Sequence, residues 1–476
     1  MLTSGSLRLV QQSLSILRNS LRNMLLVVLS LCAGSLCDQA YGQEEALRLA
    51  ETYSDTRTFS TQSTITTSGK VQAAKADGTK DDLELSATVT FDYLSRRLPP
   101  SGRDAEALRE VRDFRNAQLV TKVAGYETET TLPDDRGLVV VTGSREGLIS
   151  YSSQGSLTRE TVDLLEIPGD ALALLAVLPL TDVRVGEEWN PADWVLQMLT
   201  GIEAVETTEM KCKLEQATPA AARVTFSGKI KGQKLGTNTA VNVAGVLLFD
   251  LKSQSLSQAK TVYAVSSEVG TVNPGLDMRV TTVLTRKVSE DSGRLTDAVV
   301  SQIPLEPAAG ALALKYVAPP WGLTLTHERD WHLFQAVYDG GAPVAILRLV
   351  ELGSLVAQCN FSPAPTVLGG TMTPLESFES DIQQSLGERF GDIISRETIP
   401  LEDGRRIHRV AVSGNVVIKS KEGRSDIPMN WIYYLVTTAQ GRQASFVFSV
   451  EPALLEQLKD RDRELVQSLG FVAPSR

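Results

Sequence analysis

Histidine and cysteine are scarce in this chain. Three histidines occur in 476 residues, none before His327, and of four cysteines Cys32 and Cys37 lie close to the start. The scarcity excludes the Cys-x-x-Cys and His-Glu-x-x-His spacings that hold zinc. It also leaves the first two thirds of the chain without an imidazole for acid–base work. Positive charge is short as well: 47 Lys and Arg stand against 57 Asp and Glu, a net charge of -10. An acidic chain with no basic stripe repels phosphate backbones, which argues against nucleic acid as a partner. No apolar run approaches the ~20 residues of a membrane-spanning helix.

What is there begins with a short apolar run, Met24 to Leu36, preceded by Arg18 and Arg22 and followed by Ala40-Tyr41-Gly42. A basic segment, a short apolar stretch and small residues at the -3 and -1 positions spell a secretory signal peptide cleaved after Gly42. Leucine precedes both Cys32 and Cys37, where a lipoprotein signal has a small residue, so no lipid anchor is expected. The mature chain is expected in the periplasm or outside the cell, with no integral membrane segment. Cleavage removes three arginines and one aspartate, which makes it more acidic still. At ~150 residues per domain it makes two or three domains. Cys212 and Cys359 remain, and are expected as buried free thiols.

The fold class read from the pattern is α+β. Residues 43–300 form a large antiparallel β-rich domain, a half-barrel or sandwich with a few helices. Leu83, Leu85, Ala87, Val89, Phe91 and Tyr93 alternate with polar residues, the period of a strand with one buried face. Val224 to Gly228 and Val241 to Gly245 continue the alternation, and Val246 to Phe249 is a continuous apolar stretch. Thr261–Val269 and Met278–Val288 make a strand pair around the turn Asn273-Pro274-Gly275. Asp104 to Asn116, with Ala107, Leu108, Val111 and Phe114 at helical spacing, predicts a helix. Short helices are predicted at Thr158–Leu165, Asp170–Leu178 and Pro191–Leu199, the last capped by Asn190. A linker is placed at 301–313.

Residues 314–476 read as an antiparallel sheet flanked by helices. Strands are expected at Val344–Val350, Leu355–Phe361, Ile407–Val412, Trp431–Val436 and Ser445–Val450. Thr373-Pro374-Leu375-Glu376 spells a capping box before a helix with Leu375, Phe378, Ile382, Leu386 and Phe390 on one face. A second helix follows Pro452 and stops at Gly470.

Candidate chemistry is thin. His327 and His332 stand five apart, a spacing that converges two imidazoles on neither a helix nor a strand. Gly143-Ser144-Arg145-Glu146-Gly147 lacks the Gly-x-Ser-x-Gly order of a nucleophile elbow and reads as a hairpin turn. Gly228, Gly232 and Gly236, among Lys229, Lys231 and Lys234, read as a flexible basic hairpin tip rather than a phosphate cradle. No metal, cofactor or catalytic residue is assigned. Trp431 and one neighbouring tyrosine should be core, because successive strand side chains face opposite ways. The binding candidates are Trp321, Trp331, His332 and Tyr433, with Trp321 and one of the paired tyrosines expected as exposed contacts.

Several strings carry a resemblance. Arg329-Asp330-Trp331-His332, Ala357-Gln358-Cys359-Asn360, Trp431-Ile432-Tyr433-Tyr434 and Val185-Gly186-Glu187-Glu188-Trp189 resemble an uncharacterised family of two-domain exported bacterial proteins, which transfers no active site. The order of elements after 314 is similar to the PsbP/DcrB-like α/β/α sandwich, which implies an accessory or assembly role. The strands before 300 resemble the half-barrels of lipoprotein carriers. Together these point to a non-enzymatic exported binding or assembly protein with an envelope partner or an apolar, lipid-like ligand. The alternative is an extracytoplasmic hydrolase of envelope or extracellular polymers.

Overall fold

The computed structural model describes residues 46–51, 56–74, 80–99, 104–105, 107–144, 147–308, 310–420 and 423–472. The expected signal peptide, residues 1–42, and the hairpin tip Arg145-Glu146 lie outside them. No helix among the described residues is long and apolar enough to cross a membrane.

The chain is α+β, as read from the sequence, and built mostly of antiparallel sheet. Thirteen strands make one sheet: β1 (Thr58–Ala74), β2 (Lys80–Arg97), β3 (Arg109–Val123), β4 (Tyr126–Thr131), β5 (Leu138–Ser144), β6 (Gly147–Ser152), β7 (Glu188–Trp189), β8 (Ala204–Thr208), β9 (Lys211–Ala217), β10 (Ala221–Lys234), β11 (Thr237–Asp250), β12 (Ser255–Ser267) and β13 (Gly275–Ser289). Their order is β6-β5-β3-β2-β1-β13-β12-β11-β10-β9-β7, with β4 on β3 and β8 on β10. Hairpins supply most neighbours. The long-range pair is β1 with β13, in register from Thr58↔Ser289 to Gln72↔Gly275.

Alternation aims Ile65, Val89, Phe91, Phe226, Val280 and Leu284 to one inner face. Three short helices cover it: α1 (Arg159–Leu165), α2 (Ala171–Ala176) and α3 (Asp193–Thr200). They bury Leu164, Leu174, Leu196 and Leu199 there, each worth about 1.5–3 kcal/mol of removal from water. Thr158 caps α1 by accepting from the Thr161 amide, and Asp170 caps α2 by accepting from Leu172. The loop between them lies on the sheet. Thr282 Oγ1 donates to the Pro168 carbonyl at 3.0 Å, and a Cβ at Gly169 would stand 2.5 Å from that hydroxyl. The third helix starts after Ala192, without the Asn190 cap expected for it.

Where a helix is expected at Asp104–Asn116, the residues from Arg109 onward are instead the start of β3, paired with β2 and β5. Both faces of β3 are covered here, so period two is lost from its hydropathy. Val111 packs outward against Leu94, Val140 and Leu295, while Glu110 and Arg112 are buried on the other face. The stretch Val246–Phe249 is the second half of β11, with Leu247 and Phe249 inward.

The lysine-flanked glycines are close-approach positions rather than a loose tip. A Cβ at Gly228 would meet the Met210 Cα at 2.3 Å, and one at Gly232 the Ala204 carbonyl at 2.0 Å. Gly236, at φ +71°, abuts the backbone of Gly353. Gly236→Ala is therefore expected to cost about 1–3 kcal/mol in urea unfolding. Gly125→Ala, at φ +89° with open space around it, carries only the backbone strain and is expected to cost less.

After Ser289 the chain packs on the outer face of the large sheet. It makes one short helix, α4 (Asp297–Val300), buries Leu295, and accepts from Arg109 Nη2 at the Pro304 carbonyl, 3.0 Å. Ten further strands follow: β14 (Leu314–Ala318), β15 (Leu323–His327), β16 (Trp331–Val337), β17 (Val344–Glu351), β18 (Ser354–Ala364), β19 (Phe390–Pro400), β20 (Arg406–Ser420), β21 (Gly423–Thr437), β22 (Gln443–Val450) and β23 (Gly470–Phe471). One sheet is β14-β15-β23; the other is β16-β17-β18-β22-β21-β20-β19.

Helix α5 (Leu375–Leu386) covers one face of the seven-stranded sheet with Phe378, Ile382 and Leu386. The expected capping box is absent, because Thr373 Oγ1 pairs with the Gln443 amide and Pro374 takes the cap position. The other face is covered by α6 (Leu455–Leu458), α7 (Arg461–Gln467) and the small sheet. The single helix expected after Pro452 is broken at Lys459, which takes φ +52°. Tyr434 joins α7 to the sheet by donating to Asp462 Oδ2 at 2.6 Å.

Candidate functional site

Of the four sequence-predicted binding residues, Trp321 and Trp331 share one core and Tyr433 lies in another, under α5. Trp331 is 1% exposed, edge-on to Phe448 at 5.9 Å. Trp321 is half-buried among Tyr338 and Phe361, its Nε1 donating to the Tyr338 carbonyl at 3.4 Å. Tyr433 is 9% exposed and lies with Trp431 under α5. The expectation of an exposed tyrosine is corrected by layer count: this sheet is covered on both faces, so Tyr433 and Tyr434 are both core. His332 is half-buried.

The histidines divide between two places. His408 is structural: its Nε2 donates to the Thr373 carbonyl and its Nδ1 accepts from Thr398 Oγ1, both at 2.8 Å. His327 and His332 flank the turn between β15 and β16, and that turn meets α1. Arg159 Nη2 donates to the Arg329 carbonyl at 2.7 Å. Arg329 returns Nη1 to Glu166 Oε1 at 3.0 Å, Nη2 to the Ser150 carbonyl at 2.5 Å and Nε to the Leu312 carbonyl at 3.2 Å. Main chain joins as well, Lys315 N donating to the Leu157 carbonyl at 2.7 Å. Nothing local in the sequence signals this junction, since the bonds that reach residues 150–166 join positions 158 or more apart in the chain.

Burial, with Arg159 and His327 nearby, pushes His332 down to about 4. Burial also lowers His327, 7% exposed, whose Nδ1 donates to the Glu328 carbonyl at 2.7 Å. Burial raises Glu166 against the pull of Arg329. Asp163 is exposed at the rim, so solvent screens much of the upward push from its crowded surroundings. Beside the turn is a cavity of about 130 Å³ lined by Thr326, His327, Glu328, Trp331, Arg461 and Glu464, among others. Arg461 is held there by Glu328 at 3.2 Å, Glu351 at 3.6 Å and Asp330 at 3.8 Å. Among the described residues no group of three or more His, Cys, Asp or Glu could hold a metal. Cys212 and Cys359 are free and buried, as expected; burial pushes Cys212 up to about 12, far from a thiolate at neutral pH.

A second site lies between the inner face and its helices, and sequence reading missed it. Arg112 grips Asp170 through two bonds of 2.6 and 2.7 Å, gives Nε to Glu110 at 2.7 Å, and stacks 4.8 Å over Tyr93. Arg286 pairs with Glu51 nearby. The signal available was the charged pair Glu110 and Arg112 inside an otherwise apolar window. At one end of these helices is a mouth lined by Leu49, Leu108, Leu175, Leu178, Leu180 and Trp194, with Glu51 and Arg97 also lining it. Its cavity is about 50 Å³, and Leu180 is 55% exposed.

No protein-family model matches the chain, and no curated protein does. Among solved structures, the PsbP of the cyanobacterium Synechocystis is similar at 15% identity, over 34% of this chain and 93% of that one, with a TM-score of 0.26. Lipovitellin, from a structure describing its lipid–protein interactions, is similar at 9% identity, over 50% of this chain and 26% of its own, with a TM-score of 0.29. Both likenesses are slight.

Proposed function

We propose that this chain is an exported, non-enzymatic binding or assembly protein of the bacterial cell envelope that takes an apolar, lipid-like ligand. The signal peptide supplies the export. In this reading residues 43–300 are the ligand domain, 301–313 the connection, and 314–476 an α/β domain that docks an envelope partner. The mouth beside α2 and α3 supports it most: nine apolar residues, six of them Leu or Trp, line an opening, with one carboxylate and one guanidinium beside them. Apolar-ligand sites are built this way, with a few polar groups to fix orientation. An opening of about 50 Å³ is far below the ~300–1,000 Å³ of a full pocket, so a bound chain must part the helices from the sheet.

Mature protein recovered from envelopes is expected to release an apolar molecule on organic extraction and to bind an apolar fluorescent dye saturably. Leu180→Asp is expected to weaken the dye by about tenfold or more, since 1.4 kcal/mol suffices. No released lipid together with no dye binding would overturn the lipid reading. N-terminal sequencing of the exported protein checks cleavage after Gly42.

His327 lining a cavity with Glu328 and Glu464 favours the second reading, an extracytoplasmic hydrolase. Replacing His327, His332 and His408 by alanine without loss of a measured hydrolysis removes the histidine version of it.

A further inference from the structure

We propose, resting on the apolar-ligand reading above, that Arg286 is the head-group site for an apolar chain with a carboxylate head, of which a fatty acid is the simplest. Glu51 holds that site until such a head displaces it. Glu51 is at once a wall of the mouth and the counter-ion of Arg286, and the guanidinium keeps a buried donor that Glu51 does not use.

Residues 47–51 form a strap. Leu47 exchanges two main-chain bonds with Val183, at 2.8 and 3.0 Å, and Leu49 is 1% exposed in the inner-face core. The Glu51 carboxylate accepts from the Leu256 amide at 3.0 Å and from both terminal nitrogens of Arg286. Leu49, Ala50 and Glu51 all line the mouth. An apolar side chain leading to a carboxylate on a guanidinium is the arrangement a fatty acid would make in the same place.

The Arg286 side chain is 1% exposed on β13, its guanidinium 3.6 Å over the Phe59 ring. Among the described residues its Nε has no partner, nor has the buried hydroxyl of Thr61. Thr61 stands directly opposite Arg286 in the β1–β13 register, so the two side chains are neighbours on the inner face. Buried donors left unmet are costly. Glu51 is tied to the main chain and uses only the two terminal nitrogens. A carboxylate free of that tie can turn to meet Nε and the Thr61 hydroxyl as well.

Charge decides what the head can be. A buried guanidinium that loses its counter-ion is strongly destabilising. A neutral head that pushed Glu51 aside would strand Arg286. A carboxylate replaces Glu51 one for one, and the freed Glu51 returns to water. Leu49 leaves with the strap and adds its volume to the narrow mouth, where the ligand tail then lies among Leu175, Leu178, Leu180 and Trp194.

Calorimetry on the full mature chain at neutral pH tests this with dodecanoic acid and dodecanol, each below its micelle concentration. Hydrogen exchange follows the Leu47 and Val183 amides, which cross between strap and domain. The acid is expected to bind at least about tenfold tighter than the alcohol. At saturation it should strip protection from both amides, and the alcohol should leave them protected. Glu51→Gln with Arg286→Met, which removes both charges together, is expected to bring the two ligands within about twofold of each other. The exchange measurement needs no variant, so poor folding of that double variant leaves the test intact. Equal binding of acid and alcohol by the wild type, acid binding with both amides still protected, or a preference that persists in the folded variant overturns the assignment and leaves the apolar-ligand reading standing. Binding of neither ligand overturns both.

Discussion

Asp170→Ala is expected to destabilise the protein by about 3–5 kcal/mol, the cost of stranding one member of a buried ion pair. The reasoning is geometric. Arg112 and Asp170 side chains are 2% and 5% exposed, and the guanidinium loses two short bonds at once. Glu110 remains on Nε, which keeps the loss toward the lower end. The substitution also removes the cap of α2, where Asp170 accepts from Leu172, worth about 1 kcal/mol more. A fall of roughly 10 °C in melting midpoint follows. A midpoint within about 1 °C of wild type would mean that Arg112 finds water when its partner leaves, and that the helices are not pinned to the sheet there.

Trp331→Ala is expected to cost about 3–5 kcal/mol in urea unfolding, the range for emptying a buried indole site. The ring is 1% exposed and meets Phe448 edge-on, a pairing worth about 1 kcal/mol beyond its area. The neighbouring cavity of about 130 Å³ would merge with the space left behind, so collapse would recover little. Trp331→Phe should keep most of the stability. The prediction separates two roles for a residue that sequence alone offers as a contact: unchanged unfolding free energy with lost partner binding would make Trp331 a contact residue after all.

Much of the architecture was legible where one face of a strand meets water. The alternation Leu83 to Tyr93 became β2, the pair around Asn273-Pro274-Gly275 became β12 and β13, and five strands after 344 lie where the pattern put them. Legibility failed where both faces are covered. Ala107 and Leu108 precede β3, Val111 packs outward against Leu94 and Leu295, and Phe114 packs inward on Phe91 and Tyr93, so apolar residues on both faces mimic helical spacing. Tyr433 was misplaced for the same reason: a sheet with helices on both sides has no solvent face on which to leave a tyrosine. The candidate sites were the least visible. Arg112 finds Asp170 58 positions away and Arg329 finds Glu166 163 away. Each pair is assembled only by strand order and by where α1 and α2 settle on the sheet.

The claim that the inner face and its helices receive an apolar chain is tested most directly by photo-crosslinking. A fatty acid carrying a photoreactive group at its tail is added to the mature protein, and the labelled residues are mapped by mass spectrometry. Labels are expected at the mouth, on Leu175, Leu180 and Trp194, competed by unlabelled fatty acid. Labels confined to the outer face of the large sheet or to the part after 314, or none that unlabelled fatty acid competes, would contradict it.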